Sequence, residues 1–224
     1  AVACDAATTG NAGTRPHQDG RYGRDAAQAA GALPAKTGGG TESFDFTKIA
    51  NNGSALHVNA TLGTAPTEWA CTRDNVTGLV WEVKTNSGLR SSAHSYTWFT
   101  YRNDGVGIGS SGRNTCSDTL SAAPYNNQCN TANYVAAVNA LGLCGATDWR
   151  LPTRRELLSI VHNGTSTAPM IDTTYFPNTQ SWLYWSSELY TPDPSGAWAV
   201  KLHEGSTFAN YLHANIHIRL VRNE

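Results

Sequence analysis

The chain has 224 residues, of which 40% are hydrophobic and 9% aromatic, so it can bury a substantial core and does not have the composition of a disordered chain. Charged residues make up only 15% and the formal net charge is -1, which excludes a general electrostatic attraction to nucleic acid or to an anionic membrane. No apolar run approaches the roughly 20 residues that cross a bilayer, so we expect no nucleic-acid partner and no membrane insertion.

The first part of the chain differs in composition from the rest. Residues 1–66 are rich in Ala, Gly, Thr and Asn, whereas Trp becomes frequent from Glu68 onward. We predict an N-terminal extension over residues 1–66 and a folded domain over residues 67–224. Because an Ala/Gly-rich segment buries little apolar surface by itself, we expect the extension to pack on this domain or on a neighbouring subunit. Its stretch Phe44–Ile49 is suited to completing the sheet edge of a neighbour.

The domain begins with two runs in which apolar residues alternate with polar or small ones. The apolar positions are Trp69, Cys71, Leu79, Trp81 and Val83. Asp74-Asn75 lie between the two runs and are typical of a turn. This period of two predicts a β-hairpin with one apolar face. Residues 85–130, which are dominated by Gly, Ser and Asn, predict a long loop region.

A first helix is predicted after this loop region. Asn130 or Thr131 can cap its first turn, and Gly142 can end it in the left-handed conformation that glycine adopts easily. Its apolar positions are Val135, Val138 and Leu141. The spacing of three residues places these side chains on one face of the helix, which we expect to be buried.

A second helix is predicted after Trp149-Arg150-Leu151. Thr153 and Glu156 have the spacing of a capping box, in which the hydroxyl and the carboxylate each accept a hydrogen bond from the other residue's backbone N–H. The apolar positions of this helix are Leu157, Leu158 and Val161. Asn163-Gly164 is a suitable end for it.

The last quarter of the chain predicts antiparallel strands. Trp198, Val200 and Leu202 alternate with Ala199, Lys201 and His203, and Glu204-Gly205-Ser206 then predicts a turn. A second alternation has apolar residues at Leu212, Ala214, Ile216, Ile218 and Leu220, and polar ones at His213, Asn215, His217 and Arg219. This pattern predicts a half-buried strand with its polar side chains in solvent. The order of hairpin, two helices and terminal strands predicts an α+β fold.

The five cysteines indicate disulfides in an oxidising compartment, because none forms a C-x-x-C pair and no His has zinc-finger spacing from them. Cys116 and Cys129 bracket a short loop, and a disulfide closing it stabilises the fold by about 3 kcal/mol in the chain-entropy model. Cys71 and Cys144 are the natural second pair, although four cysteines allow three connectivities. Cys4 is then left free or available for an intermolecular bond.

Several motifs resemble, in order, those of the Lcl C-terminal domain family, which takes its name from a Legionella collagen-like surface protein. The matching stretches are Asp74-Asn75-Val76-Thr77-Gly78-Leu79-Val80-Trp81-Glu82, Cys144-Gly145-Ala146-Thr147-Asp148-Trp149-Arg150-Leu151-Pro152-Thr153-Arg154-Arg155-Glu156-Leu157, Ile171-Asp172-Thr173-Thr174-Tyr175-Phe176-Pro177-Asn178-Thr179, Tyr184-Trp185-Ser186-Ser187, Ala197-Trp198 and Ile218-Arg219-Leu220-Val221-Arg222. Together they cover about residues 66–224.

The resemblance implies a C-type-lectin-like fold in an exported bacterial protein, loop-rich and stapled by disulfides. It also implies a binding function, because the protein that names the family is an adhesin for sulfated polysaccharides. The calcium-dependent sugar motifs Glu-Pro-Asn and Trp-Asn-Asp are absent from this sequence. We therefore expect sugar binding without calcium, and no cofactor or metal site.

Catalysis is not expected, although the Arg-Leu-Pro-Thr-x-x-Glu core is also similar to the formylglycine-generating enzymes. Those enzymes use a cysteine pair in the C-terminal part of the domain, and no cysteine follows Cys144 here, so the oxidative chemistry has no nucleophile. A hydrolase is equally disfavoured, because no Gly-x-Ser-x-Gly motif is present.

The candidate ligand-binding residues fall into two groups. Basic and polar residues of the predicted C-terminal sheet form an exposed face for an anionic glycan, bound through charge-assisted hydrogen bonds; they are Lys201, His203, His213, Asn215, His217 and Arg219. Trp98 and Trp182 lie in loop segments and are suited to stacking on sugar rings. His213 and His217 do not predict a metal pair, since four residues of strand separate them by about 13 Å.

Two functions remain from these observations. In the first, a secreted or surface-displayed domain binds a polysaccharide and serves adhesion. In the second, the chain is the structural subunit of a fibre or homo-oligomer that assembles through the N-terminal segment. The position of Phe44–Ile49 discriminates between them, because a strand paired within its own domain removes the main support for the second.

Overall fold

The computed structural model describes residues 30–32, 35–41 and 43–224. The elements in chain order are β1 (Phe46–Ala50), β2 (Trp69–Asp74), β3 (Leu79–Glu82), β4 (Phe99–Tyr101), β5 (Gly107–Gly109), α1 (Thr131–Leu141), a 3-10 helix (Leu143–Gly145), α2 (Arg154–Ser159), β6 (Leu183–Leu189), β7 (Gly196–Lys201), β8 (Ser206–Tyr211) and β9 (Val221–Asn223). The predicted α+β class is confirmed. Within the described part of the chain, no helix has both the length and the hydropathy to cross a bilayer.

The strands form three antiparallel sheets. The largest has the order β1-β2-β3-β9, the second β6-β7-β8, and β4 pairs with β5 alone. The predicted hairpin is confirmed as β2 and β3, with Cys71 opposite Glu82. At its turn the Asp74 carboxylate accepts hydrogen bonds from the N–H of Val76 and the hydroxyl of Thr77, which explains why this turn is polar.

Two core clusters cover opposite faces of the three-stranded sheet. Ala199 belongs to the larger cluster, which contains Trp98, Trp149 and Trp185, and Val200 belongs to the smaller one, which contains Trp81. Successive residues of a strand point to opposite faces. The predicted opposite orientation of Ala199 and Val200 is therefore confirmed, and β7 is buried on both sides at these two residues.

Helix α1 has the predicted bounds and a different buried face. The Asn130 side chain accepts a hydrogen bond from the N–H of Asn133, and Gly142 ends the helix with φ 67°. Tyr134 and Val138 are buried, whereas Leu141 is 59% exposed. Aromatic Tyr134, one residue before the predicted Val135, therefore determines which side of the helix meets the core.

Helix α2 is confirmed at its start and is shorter than predicted. Thr153 and Glu156 form both hydrogen bonds of the capping box. The helix ends at Ser159 instead of continuing to Asn163-Gly164. The Glu156 carboxylate also binds the Arg150 guanidinium at 2.7 Å, so this carboxylate holds the preceding extended segment against the helix.

Both predicted disulfides are present. Cys71–Cys144 joins β2 to the 3-10 helix, and Cys116–Cys129 closes the short loop. Cys4 lies outside the described residues. The region 85–130 is mainly loop, as predicted, but it also contains the β4–β5 hairpin, which the Gly-rich composition did not indicate.

The described residues before Thr67 belong to the same sheet as the domain. β1 pairs antiparallel with β2 of its own chain, with Ile49 opposite Cys71. Further upstream, the backbone N–H and the hydroxyl of Thr41 both donate to the Asp172 carboxylate. The stretch Phe44–Ile49 therefore completes a sheet edge within its own domain.

The predicted strand over residues 212–220 is wrong. The outer strand of the hairpin is β8, which ends at Tyr211, and residues 212–214 form a turn. The chain then makes single bridges from Ile216 to Tyr96 and from His217 to Tyr184. The apolar residues of this segment nevertheless keep their predicted alternation, because Ile216, Ile218 and Leu220 all lie in the larger core cluster.

Candidate glycan-binding surface

Three of the predicted ligand-binding residues lie together on the surface. Trp182 directly precedes β6 and Lys201 ends β7, and the backbone N–H of Leu202 donates to the Trp182 carbonyl at 2.9 Å. The Lys201 Nζ lies 5.6 Å from the centroid of the Trp182 ring, and the indole is 53% exposed. His203 is exposed in the following turn, with its Nδ1 3.3 Å from the Ser181 hydroxyl. We call Trp182, Lys201 and His203 the Trp182 cluster.

The sequence analysis missed the acidic neighbour of this cluster. The Glu204 carboxylate lies 3.2 Å from the Lys201 Nζ. The hydroxyl of Ser206 and then the Lys201 ammonium hold the pKa of Glu204 below its usual value. Glu204 is therefore ionised at neutral pH and competes with an anionic ligand for Lys201. The spacing of three residues between Lys201 and Glu204 is the sequence feature from which this ion pair could have been predicted.

His213 and Asn215 are exposed and lie at the other end of the same sheet. The β7–β8 register places Lys201 opposite Ser206 and Gly196 opposite Tyr211. The two ends are therefore five residue steps apart, which is about 17 Å along the strand. The His213 ring stacks on Tyr211, with ring centroids 5.6 Å apart. The predicted basic residues thus do not form one continuous surface.

Arg219 is buried, which contradicts its predicted exposure. Its guanidinium donates to the Glu82 carbonyl and the Thr179 hydroxyl, each at 2.7 Å. It also lies over the Phe176 ring, 5.1 Å from the centroid. Buried charges are retained where hydrogen bonds compensate for lost hydration, and these partners show that Arg219 holds the β3 and 176–179 segments together instead of facing a ligand.

His217 is half-buried and its ring also points inward. The Nδ1 lies 2.9 Å from the backbone carbonyl oxygen of His94. The ring hydrogen is therefore on Nδ1, because only an N–H can donate to a carbonyl oxygen, and the neutral ring has such an N–H. Burial, followed by the charge of Lys84, lowers the pKa of His217. Because its protonated form is disfavoured, His217 gains its positive charge at a lower pH than an unperturbed histidine does.

Trp98 is 2% exposed and is not a stacking platform. Its indole N–H donates to the Ser186 carbonyl at 2.8 Å, which fixes the ring in the larger core cluster. Two aromatic residues nearby, Phe99 and Tyr101, are more accessible than Trp98. Tyr101 is 61% exposed, and its ring packs edge-on against that of Phe99. Loop position alone did not distinguish the buried aromatic residue from the exposed ones.

A concavity lies between β4 and α1. Its volume is about 710 Å³, and Phe99, Tyr101 and Val135 are among its lining residues. The polar side chains in its wall are engaged elsewhere: the Thr131 hydroxyl donates to the Phe99 carbonyl, and the Asn139 amide bonds the backbone of Trp149. Arg150 also lines the groove, with its guanidinium bound to the Glu156 carboxylate. The groove and the Trp182 cluster thus each combine an exposed aromatic ring with a paired cation.

Within residues 30–32, 35–41 and 43–224, no group of three or more His, Cys, Asp or Glu side chains has an arrangement that can hold a metal ion. The Trp182 cluster itself offers an indole ring, a lysine ammonium and an imidazole. These groups stack and form hydrogen bonds to a ligand.

An α+β domain with two disulfides is typical of a protein from an oxidising compartment. The family model of the Lcl C-terminal domain matches residues 70–222, and the chain belongs to this family. The family is not a known enzyme family, and the match together with the disulfides is consistent with a secreted or surface-type bacterial domain. No curated protein matches the chain.

Proposed function

We propose that this protein is a non-catalytic adhesion domain, secreted or displayed on the bacterial surface, which binds an anionic polysaccharide through the Trp182 cluster. We further propose that its fold is C-type-lectin-like, as supported by the order of hairpin, two short helices and C-terminal strands. The observation that carries the function is the exposed Trp182 indole, with the Lys201 ammonium at 5.6 Å from its centroid and His203 beside it.

The cluster combines the two interactions that an acidic sugar requires. The exposed face of Trp182 can stack on the apolar face of a sugar ring. Lys201 and His203 can then donate charge-assisted hydrogen bonds to a sulfate or carboxylate, and such bonds are about twice as strong as neutral ones. The Lys201–Trp182 contact orients the ammonium in advance and contributes about 0.5–1 kcal/mol at an exposed site.

The structural-subunit function is less well supported by the part of the N-terminal segment that the structure describes. β1 pairs with β2 of the same chain, so this strand is not available to complete the sheet of a neighbour.

Surface plasmon resonance on immobilised dextran sulfate, with unsulfated dextran as reference, tests the proposed function. We expect the wild-type chain to bind only the sulfated polymer. Trp182→Ala and Lys201→Gln should each weaken binding by about tenfold, since an anchoring contact of this kind contributes about 1–2 kcal/mol.

The matched controls are Tyr101→Ala, which removes an equally exposed aromatic ring, and Arg102→Gln, which removes an exposed cation on the β4–β5 hairpin. Both should bind as the wild type does. Loss of binding in the Tyr101 variant, with Trp182→Ala unaffected, would assign the ligand to the groove instead. Equal binding to sulfated and unsulfated polymer would overturn the proposal for an anionic ligand.

A further inference from the structure

Arg90 carries a buried charge that no acidic residue neutralises in the described part of the chain. The residue is 4% exposed. Its Nη1 donates to two backbone carbonyl oxygens, that of Ala70 at 3.1 Å and that of Val83 at 2.6 Å. These bonds replace part of the hydration that a buried charge loses. Two neutral oxygens nevertheless leave the positive charge without a counter-ion.

The acidic residue in this region of the core is engaged by another cation. The Glu82 carboxylate binds the Lys84 Nζ at 2.9 Å. Burial is the main cause that lowers the pKa of Lys84 to about 8, and the charges of Arg219 and Arg90 lower it further. Arg90 therefore repels a neighbouring cation instead of pairing with an anion.

The remaining donors of Arg90 have the geometry that binds a carboxylate. Nη1 is occupied, but the N–H groups of Nε and Nη2 donate to no described residue, and neither nitrogen is completely buried. These two nitrogens form one edge of the guanidinium, and the two oxygens of a carboxylate match such an edge. The bonds of Nη1 already hold the group in place, so a ligand need not order it on binding.

Arg90 lines a pocket of about 410 Å³ between the β1–β2 connection, the loop of residues 85–90 and the end of α1. The wall offers further donors, because the Asn52 amide and the hydroxyls of Thr64 and Ser87 donate to no described residue. None of the described lining residues is acidic. The apolar part of the wall consists of Pro66, Leu89, Leu141 and Leu143.

We propose that this pocket binds a small monocarboxylate, which pairs with the free edge of Arg90 and packs its carbon skeleton against the leucines. The apolar wall favours a ligand with an apolar body, because burial of such a body is stabilising. An inorganic phosphate or sulfate gains nothing from this wall. The pocket shares no residue with the Trp182 cluster, so the site is separate from the proposed polysaccharide site.

Titration of the isotope-labelled full chain with sodium benzoate, followed by the amide chemical shifts in NMR spectra, tests the proposal. Benzoate should shift the resonances of residues 85–90 and 141–143 saturably, with a Kd on the order of 1 mM for so small a ligand. Benzamide has nearly the same shape and no charge. It should bind at least about tenfold more weakly, because it forms no charge-assisted hydrogen bonds.

Two variants of Leu141, which is 59% exposed in the wall of the pocket, test the sign of the ligand charge. L141E adds a carboxylate beside the site and should weaken benzoate binding by about fivefold or more relative to L141K, which adds an ammonium. Both variants remove the same apolar side chain, so the difference between them reports the charge. V76E is the matched control at a position that is 57% exposed and outside the pocket, and it should bind as the wild type does.

Arg90→Gln removes the cation itself and should abolish the saturable shifts. Thermal unfolding checks the fold of this variant, because Arg90 also binds the carbonyls of Ala70 and Val83. The Leu141 variants leave these two bonds in place and test the same interaction if Arg90→Gln does not fold.

The proposal fails if benzoate produces no saturable shift in residues 85–90, or if benzamide binds as tightly as benzoate. Inorganic phosphate distinguishes the two anion chemistries, since equal or tighter binding of phosphate at the same residues would contradict a carboxylate ligand. Equal affinity of L141E and L141K for benzoate would place the anion elsewhere. None of these outcomes depends on polysaccharide binding.

Discussion

Glu204 limits the Trp182 cluster as an anion-binding surface. Its carboxylate neutralises part of the Lys201 charge at 3.2 Å, and a bound sulfate must share or displace this contact. We therefore predict that Glu204→Gln raises the affinity for dextran sulfate by about two- to fivefold, as expected for a weak contact between exposed charges.

Surface plasmon resonance at low and high salt measures this gain, which should shrink as salt screens the charges. Asp104→Asn is the control, because it removes an exposed carboxylate that pairs with Arg102 on a different hairpin. An equal gain from both variants would show that net charge, and not release of Lys201, is responsible.

Two histidines in contact should make the domain sensitive to mild acid. Burial lowers the pKa of both His94 and His217, so the unfolded chain takes up protons near pH 6.5 while the folded chain resists them. Stability falls wherever the unfolded state binds more protons as the pH drops. We predict that the free energy of unfolding decreases as the pH falls from about pH 6.5 to pH 5.

Urea unfolding at several pH values measures this decrease. His217→Gln, which keeps a donor for the His94 carbonyl, should flatten the pH dependence, whereas His213→Gln, at an exposed position, should not. The carboxylates with lowered pKa, such as Glu156, contribute only at lower pH. An unchanged slope in the His217 variant would exclude its proposed part in the acid response.

Local patterns predicted which residues of the candidate site are polar or aromatic, but not which of them are exposed. Lys201, His203 and Trp182 were placed correctly on the surface. Arg219 was not, because its compensating partners, the Glu82 carbonyl and Thr179, are distant in sequence. Burial of a charge depends on such long-range contacts, which an alternating pattern does not contain.

Elements with strong local signals were predicted well. The caps Asn130, Gly142 and Thr153 act within one helical turn, and the β2–β3 hairpin is closed by its own turn residues. The β4–β5 hairpin was missed because each of its strands has only three residues, and two of the three residues of β5 are glycines, Gly107 and Gly109. Such short strands are held by tertiary contacts and leave little pattern in the sequence.

The two disulfides should differ in their contribution to stability. Cys71–Cys144 spans 73 residues and Cys116–Cys129 spans 13, and the entropy that a cross-link removes from the unfolded chain grows with loop length. The chain-entropy model gives about 4 kcal/mol for the long loop and about 3 kcal/mol for the short one. We predict that replacing both cysteines of the long loop by Ala lowers the free energy of unfolding more than the same change in the short loop.

Guanidinium unfolding of the two double variants, under conditions that keep the remaining disulfide oxidised, measures this order. A larger loss from the Cys116 and Cys129 variant would mean that native packing around the short loop outweighs chain entropy.

The whole molecule combines a family domain with a strand that lies before it. The family match begins at residue 70, yet β1 forms the edge of the same sheet and is tied to the domain by the Thr41–Asp172 contact. Composition separated these residues from the domain because they contain few large apolar side chains. Their place in the fold depends on backbone pairing, which composition does not report.

The connection of β1 to the sheet and the Cys71–Cys144 disulfide together determine how the domain responds to mechanical load. A force applied from the N-terminal side reaches the Thr41–Asp172 contact and then β1, and this outer strand can be pulled from β2. Extension of the oxidised chain then stops at Cys71, because the 73-residue loop is covalently closed. About 250 Å of extended length is withheld in this way, at about 3.4 Å per residue. A reducing environment would release that length, so oxidation sets how far the domain can stretch while it stays attached to a ligand.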